Sequence, residues 1–583
     1  LKKRSKKLLS IEFGRTTGFQ WEKFFASFFH RAEGAPFHRA EGAPSARQRS
    51  AFFFPDEPLK LLSRRTVLAS AAATLACPAI AQRARVLRIA PQSNLPSIDP
   101  IWTTATVVRN HAFLVYDTLY GLDAELRPQP QMVAGHLIED DGKRVTLTLR
   151  DGLRFHDNTP VLARDAVASI RRWSARNPFG QKLADVTDSL EAPDDQRLVF
   201  RLRRPFPLLF NALAAISNAC VIMPARVAAT DPFKQITDAT GSGPFRFKAD
   251  EFNSGSLVVY ERHPGYVPRD AGGASLTAGP KRVFFDRVEW HVITEPSTAS
   301  AALQQGEIDW FETPGPEILT YLQRNKAISV VPFDRRTNPS ILRLNHLHPP
   351  FNDPAARRAL LPAIVQADFM TAVEGDDPAL IRTDVGIFTP DTPLASTAGL
   401  DVLSGPRDLD RARQLLRDAG ADTPVTRLIG PTDVPGPSAL TQVCADLFQR
   451  LGLNLDLALS DWGTVVQRRT SREPVEKGGW SAFLTGFNGF DFVDPGGHPL
   501  LRGNGLAGWP GWPTIPRLET LRDAWFEAPD FATQKQIAAD IQRVALEEVA
   551  YIPVGASLAR TALKANLVDR VEGFAIFWGI KKA

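Results

Sequence analysis

The stretch "NGFDFVDP" places Asp491 four residues before Pro495, where the chain enters "DPGGHPLLRGNGLAGWPGWP" (494–513). That segment holds too much Gly and Pro for a helix or a strand and reads as a surface loop. A carboxylate in this position either caps a turn or is a charge placed for a ligand. Trp480, Phe487 and Phe490 lie around it with Asn488 between them, and aromatic residues there serve either a core or the wall of a cleft. His346 and His348 in "RLNHLHPP" raise the question of a metal. Residues at i and i+2 of a strand point to opposite faces, a poor arrangement for joint ligation, and the other histidines show no ligand spacing. "GNGLAG" (503–508) satisfies G-x-G-x-x-G but precedes "WPGWP" instead of opening a helix, so the dinucleotide reading fails on context. There is no P-loop, no G-x-S-x-G and no H-E-x-x-H.

The chain that must position these groups begins with a segment of a different character. "LLSRRTVLASAAATLACPAIA" (61–81) runs from an arginine pair through an uncharged stretch to small residues, the order of a secretory signal with A-x-A before the cut. Cleavage is expected after Ala81, which would discard Cys77. "SRRTVLA" resembles the twin-arginine export signal except that Val67 stands at its usual phenylalanine, so both the twin-arginine and the ordinary secretory route stay open. The apolar run is too short to span a bilayer, which takes about 20 residues. Residues 1–60 open on Leu1, duplicate "FHRAEGAP" verbatim at 29–36 and 37–44, and show no sustained helical or strand period. They are expected to be a spurious or disordered extension; the first methionine is Met132. That extension holds 12 Lys/Arg against 6 Asp/Glu, and Arg64 and Arg65 add two charges more, so residues 82–583 carry −3 of the chain's +5. The basic balance belongs to the leader and gives no ground for a nucleic-acid partner.

About 500 residues remain, too many for one hydrophobic core, so two or more lobes are expected. A hydrophobic content of 44% with 23% charged residues is ordinary for a globular protein. "KRVTLTL" alternates as a half-buried strand, with Val145, Leu147 and Leu149 on one face. In "ARDAVASIRRWSAR", Ala166, Val167, Ile170 and Trp173 fall at helical spacing. "PRDLDRARQLLRDAG" reads as a helix capped by Asp408, with a stripe of Leu409, Ala412, Leu415 and Leu416 and a stop at Gly420. "SALTQVCADLFQRLG" repeats the design with Leu440, Val443, Leu447 and Leu451, followed by the strand "LNLDLALSDW". Alternating strands and helices in the second half predict an α/β fold with a largely parallel sheet.

Several segments taken in order resemble the extracytoplasmic solute-binding proteins of ABC importers, family 5, the dipeptide, oligopeptide and nickel receptors. They are "LVYDTLYGLDAELRPQPQMVAGHLIEDDGKRVTLTLRDGLRFHDNTPVLARDAVASI", "GSGPFRF", "PSTASAALQQGEIDW", "PPFNDPAARRALLPAI", "DLDRARQLLRDAG" and "GFDFVDP". The resemblance covers roughly residues 86–580. It implies a two-lobe α/β clam of the periplasmic-binding-protein type with an extra subdomain inserted in the first lobe. The first lobe would comprise residues 83–115, 240–338 and 553–583, the insert 116–239 and the second lobe 339–552, hinged by crossings near 338 and 552. Cys220 and Cys444 then fall in different parts, and two buried free thiols are expected.

In peptide-binding members of the family, the aspartate four residues before this proline pairs with the ligand's ammonium, which makes Asp491 the candidate here. Those members often carry a tryptophan three places before it; this chain has Asn488, so the aromatic wall falls to Phe487, Phe490 and Trp480, or the ligand differs. The resemblance implies a receptor and not an enzyme, with no cofactor and no metal, acting in the periplasm as a monomer. Its partners would be a small peptide-like solute and the transmembrane subunits of an ABC permease. A receptor for a metal chelate, an opine or a sugar, a secreted hydrolase with a scattered catalytic site, and a periplasmic chaperone or sensor built on the same clam are the alternatives.

Overall fold

The computed structural model describes residues 85–583; the expected extension and export signal lie outside them. Two large sheets organise this part of the chain. The first has seven strands in the order Phe245–Phe247, Leu257–Arg262, Arg287–His291, Val86–Ala90, Trp310–Phe311, Arg560–Lys564 and Ile328–Pro332. Val86–Ala90 runs parallel to both its neighbours and the remaining pairs are antiparallel. The second has six strands in the order Ile381–Arg382, Ile552–Ser557, Asn338–Leu344, Ala482–Gly486, Val425–Pro431 and Asn454–Ser460. A four-stranded antiparallel sheet, Val133–Glu139, Arg144–Leu149, Arg197–Leu202 and Thr187–Glu191, stands apart with its own apolar cluster.

The alternation read in "KRVTLTL" is the strand Arg144–Leu149, with Val145, Leu147 and Leu149 buried and the residues between them half-buried. Against this sheet packs the helix Ala163–Ser174, whose Ala166, Val167, Ile170 and Trp173 are all in the same cluster. The helix Leu409–Asp418 starts where Asp408 accepts a hydrogen bond from the Arg411 amide at 2.9 Å, and Gly420 follows its end at φ +62°. Its buried stripe is narrower than expected: Ala412 and Leu416 are buried, while Leu415 faces solvent because the helix lies on the outside of the lobe.

Three elements position the site described below. Helix α1 (Thr106–Val115) is buried along nearly its whole length against the seven-stranded sheet. Helix α2 (Pro435–Arg450) begins three residues before the segment read from Ser438, with Pro435 in its first turn, and buries Leu440, Leu447 and Phe448. Helix α3 (Trp462–Arg468) is started by Asp461, which accepts from the Thr464 amide at 3.0 Å.

Several expectations are corrected. The sheet of the second half is mixed: its parallel pairs are those of Val425–Pro431 with Asn454–Ser460 and Ala482–Gly486, while Asn338–Leu344 enters from the other sheet and Ile552–Ser557 leaves towards it, and the two pair antiparallel. Ile552–Ser557 is hydrogen-bonded inside the six-stranded sheet, and Arg560–Lys564 inside the seven-stranded one. The Gly/Pro-rich segment 494–513 is irregular as expected but not superficial. Leu500, Leu501 and Trp512 are buried in it, and its backbone is satisfied locally, with the Leu500 amide donating to His498 Nδ1 and the Ile515 amide to the Gly503 carbonyl. His346 and His348 follow the strand that ends at Leu344 instead of lying in it, so the alternating-face argument does not apply to them. His346 is half-buried, with its Nε2 enclosed and without a hydrogen-bond partner, and His348 Nε2 sits 2.8 Å from the Arg472 carbonyl oxygen. Cys220 and Cys444 are buried free thiols in separate clusters.

Candidate functional site

Segments belonging to both large sheets line one cavity of about 190 Å3. From the seven-stranded side come Gln92, Glu312, Arg560 and the start of α1; from the six-stranded side come Ser340, Glu374, Phe487, Asn488, Arg469 and the first turn of α2. Beside it the walls are already joined. Arg469 Nη2 donates to Thr103 Oγ1 at 3.0 Å and Trp509 Nε1 to Thr104 Oγ1 at 3.2 Å. Trp462, Trp480, Phe483 and Phe490 share one apolar cluster with Trp310, Phe574 and Phe577. This is a shut arrangement: apolar surface from the two sides is removed from water together.

Asp491 is at the centre of that closure. It stands in the short turn Gly489–Phe492, where its Oδ2 accepts from the Asn488 amide at 3.1 Å, so it does cap a turn. The same oxygen lies 3.4 Å from Nη1 of Arg109 on α1, and both side chains are almost wholly buried. Burial raises the Asp491 pKa and lowers that of Arg109, and in each case the partner's charge opposes the shift. Arg109 is held between the rings of Phe490 and Phe574, at 5.0 and 4.9 Å from their centres. In the amide orientation that satisfies both groups, Asn488 also accepts from Arg109 Nη1 at 3.0 Å. Oδ1 of Asp491 has no hydrogen-bond partner, and the residue borders a second, smaller cavity of about 50 Å3, shared with Phe490, Asp494 and Phe179.

Glu312 is a second buried carboxylate beside Arg109. Its oxygens accept from Asn110 Nδ2 and from the Gln92 amide, both at 2.7 Å, and burial raises its pKa to about 7. Two carboxylates therefore act on one guanidinium, Asp491 at ion-pair distance and Glu312 from further off. Glu374 pairs with Arg560 at 3.2 Å, joining the helix Gln366–Glu374 to the strand Arg560–Lys564, and burial raises the Glu374 pKa against that pairing. His111, two residues after Arg109 on α1, is kept neutral by burial, with a pKa lowered to about 3 and Nδ1 2.9 Å from Tyr260 Oη.

The five residues singled out in the sequence are thus divided. Phe487 and Asn488 line the main cavity; Asp491 and Phe490 border the small one and grip Arg109. Trp480 lines neither: it is fully buried against Phe483 and Trp512, and its Nε1 donates to the Arg469 carbonyl at 3.0 Å. Sequence reasoning missed Arg109, Glu312, Glu374, Arg469 and Arg560. For Arg109 there was a signal, a lone cation inside the otherwise uncharged run "TATVVRNHAFLVY"; for the others the sequence shows none. Among the described residues no group of three or more His, Cys, Asp or Glu could hold a metal ion, and no helix is long and apolar enough to cross a membrane.

Comparison with known proteins agrees with this architecture. Residues 127–505 match the family "Bacterial extracellular solute-binding proteins, family 5 Middle". The chain is 34% identical to y4tO of Sinorhizobium fredii (strain NBRC 101917 / NGR234), described as a probable peptide ABC transporter periplasmic-binding protein, over 84% of this chain and 92% of that one. It is 28% identical to the glutathione-binding protein GsiB of Escherichia coli K12 over 62% of this chain and 66% of that one. In fold it is similar to the periplasmic binding protein DppA from Helicobacter pylori in complex with the peptide STSA, with a TM-score of 0.70 at 18% identity over 85% of this chain and 98% of that one.

Proposed function

Because the chain belongs to the bacterial extracellular solute-binding proteins, family 5, receptors of ABC importers and not enzymes, we propose that a peptide-like solute lies in the 190 Å3 cavity between the two large sheets and is passed on intact to the permease. The observation that carries this reading is that both sheets contribute walls to that one cavity. A solute there touches two bodies joined, among the described residues, by two backbone crossings, and its contacts favour the shut form over the open one. The peptide named for y4tO, the glutathione for GsiB and the peptide bound to DppA support the solute class. Phe487 and Asn488 offer the solute an apolar face and an amide. The Arg109–Asp491 pair acts as a latch between the two sides; Asp491 borders the smaller cavity and not the main one, so a solute ammonium would meet it only by extending into that smaller cavity.

The same reading places the inserted subdomain around the four-stranded sheet and the hinge at the two crossings. It places the working molecule in the periplasm as a monomer without a nucleic-acid partner, in keeping with the −3 charge of residues 82–583. Small-angle scattering with and without a mixture of short peptides checks the mechanism. A smaller radius of gyration and a higher melting temperature are expected on saturation; an unchanged radius with bound peptide counts against closure. The export reading puts the mature N-terminus at Gln82, by either the secretory or the twin-arginine route. Sequencing of periplasmic protein that finds residues 1–60 retained would refute it.

A further inference from the structure

Residues 116–239, which hold the four-stranded sheet, meet the rest of the chain along two seams of opposite character. The seam with the side of the seven-stranded sheet is dry. Arg172 forks onto both oxygens of Asp99 at 3.1 and 2.7 Å, and Lys281 Nζ donates to Asp117 at 2.7 Å between the rings of Phe113 and Trp578. All four charged side chains are almost wholly buried. Charge-assisted bonds sealed from water in this way join the two sides into one body.

The seam with residues 339–552 is wet at its rim. Lys182 pairs with Asp523 and Arg204 with Glu527 across it, and Asp523, Arg204 and Glu527 are about half exposed. Exposed pairs of this kind exchange readily with water and are weakened by salt. Inside the rim one ring crosses. Phe526, near the end of the helix Pro516–Glu527, has its centre 5.6 Å from that of Phe179 and 5.8 Å from that of Phe206. It is half-buried and packs against the apolar clusters of both sides. The backbone is fitted to this approach, since a Cβ on Gly496 would fall 2.1 Å from the Phe179 ring. A small aromatic contact behind a polar, hydrated rim is the make-up of an interface that parts and re-forms. Phe179, Phe206, Phe526 and the four rim charges all lie off the main cavity, so a solute there does not touch them.

Resting on the reading of the chain as a two-lobe receptor, we propose that residues 116–239 are a second jaw, carried by the first lobe, whose clasp on Phe526 holds the shut form and slows solute release. Its contacts are made when the two sides come together, so they add to the solute's preference for the shut form without touching the solute. Retention is then governed partly at a distance from the cavity, and falls as salt screens the rim.

The test titrates the full chain with a fraction of di- to tetrapeptides from a casein hydrolysate and follows its contraction by small-angle scattering. Phe526→Ala should raise the half-saturating concentration about tenfold, as removal of an aromatic anchor does. Arg204→Glu and Glu527→Arg should each raise it about threefold. The double variant should restore it, because the pair re-forms in reverse. In about 1 M salt the effect of the single charge variants should shrink, while that of Phe526→Ala persists. Arg204 and Glu527 are exposed enough that folding does not hang on them, and amide exchange supplies a second reading on the same proteins without peptide. Exchange over Pro178–Val186 and Pro516–Glu527 should quicken in Arg204→Glu and return in the double variant, while that over Ala163–Ser174 stays unchanged. Contraction of all variants at the same peptide concentration, or a charge swap that restores neither reading, overturns the clasp and leaves the receptor standing. An unaltered protein that neither binds peptide nor contracts overturns both.

Discussion

Asp491→Ala should lower the unfolding free energy by about 3–5 kcal/mol, because it strands the buried Arg109 guanidinium among Phe490, Phe574 and Glu312 without its nearest counterion. The effect is that of an uncompensated charge and not of one hydrogen bond, whose net worth is nearer 1 kcal/mol. Replacing both partners separates these causes. The double variant Arg109→Met/Asp491→Leu removes the charges together and should recover most of the loss, since buried ion pairs are often matched by apolar residues of similar volume. Chemical denaturation of the two single variants and the double variant gives the coupling energy directly. Additive losses would show that the two residues do not act as a pair. If the pair also latches the cleft, the double variant should be nearly as stable as the unaltered protein yet bind solute more weakly and close less completely in scattering.

The second large effect is on pH dependence. Glu312 has a pKa of about 7 in the folded chain because burial outweighs its hydrogen bonds and the neighbouring Arg109, against about 4.3 for a free glutamate. Between those values the folded protein holds a proton that the unfolded chain has released. Stability contributed by this group is therefore complete below the unfolded pKa and is lost as pH rises through the folded one. The decline across that window should approach about 3 kcal/mol, from roughly 1.4 kcal/mol per unit. Glu374, Asp491 and Asp494 have pKa values moved in the same direction by burial and add to the slope. Denaturant titrations at intervals from pH 4.5 to 7.5 should show the slope reduced in Glu312→Gln, whatever the variant's overall stability. An identical slope in both proteins would mean that Glu312 ionises as it would in water.

How far these groups could be read beforehand depended on whether their signal was local. The strand Arg144–Leu149 and the helices Ala163–Ser174 and Leu409–Asp418 follow from periodicity and capping within a dozen residues, which is all a sequence needs to show. The burial of segment 494–513 depends on what the rest of the chain lays over it, and its Gly and Pro content indicated only that it is irregular. Likewise, "FDFVDP" pointed to Asp491 through its resemblance to a family, but not to Arg109, which lies 382 residues away and meets it only once the two sides come together. Arg469 was hidden for the opposite reason. It follows Arg468 in a charged-looking "QRRTSREP", where nothing distinguishes the buried cation from the exposed ones. Trp480, which the sequence left open between core and cleft wall, is fully buried, as a large ring beside a cleft is used first for packing.

The two backbone crossings are themselves joined. Pro332 pairs with Arg560 in one sheet, the Phe333 amide donates to the Ala559 carbonyl at 2.9 Å, and Asn338 pairs with Ser557 in the other. What spans the gap is a narrow antiparallel ribbon and not two independent threads. A ribbon of this kind flexes readily across its flat face but resists shearing and edgewise bending, so the jaws would travel along a nearly fixed arc. If the two sides open and close, each return stroke would deliver Arg109 to Asp491 and Thr103 to Arg469 in the same alignment, and fidelity of capture would be a property of the strap as much as of the pocket.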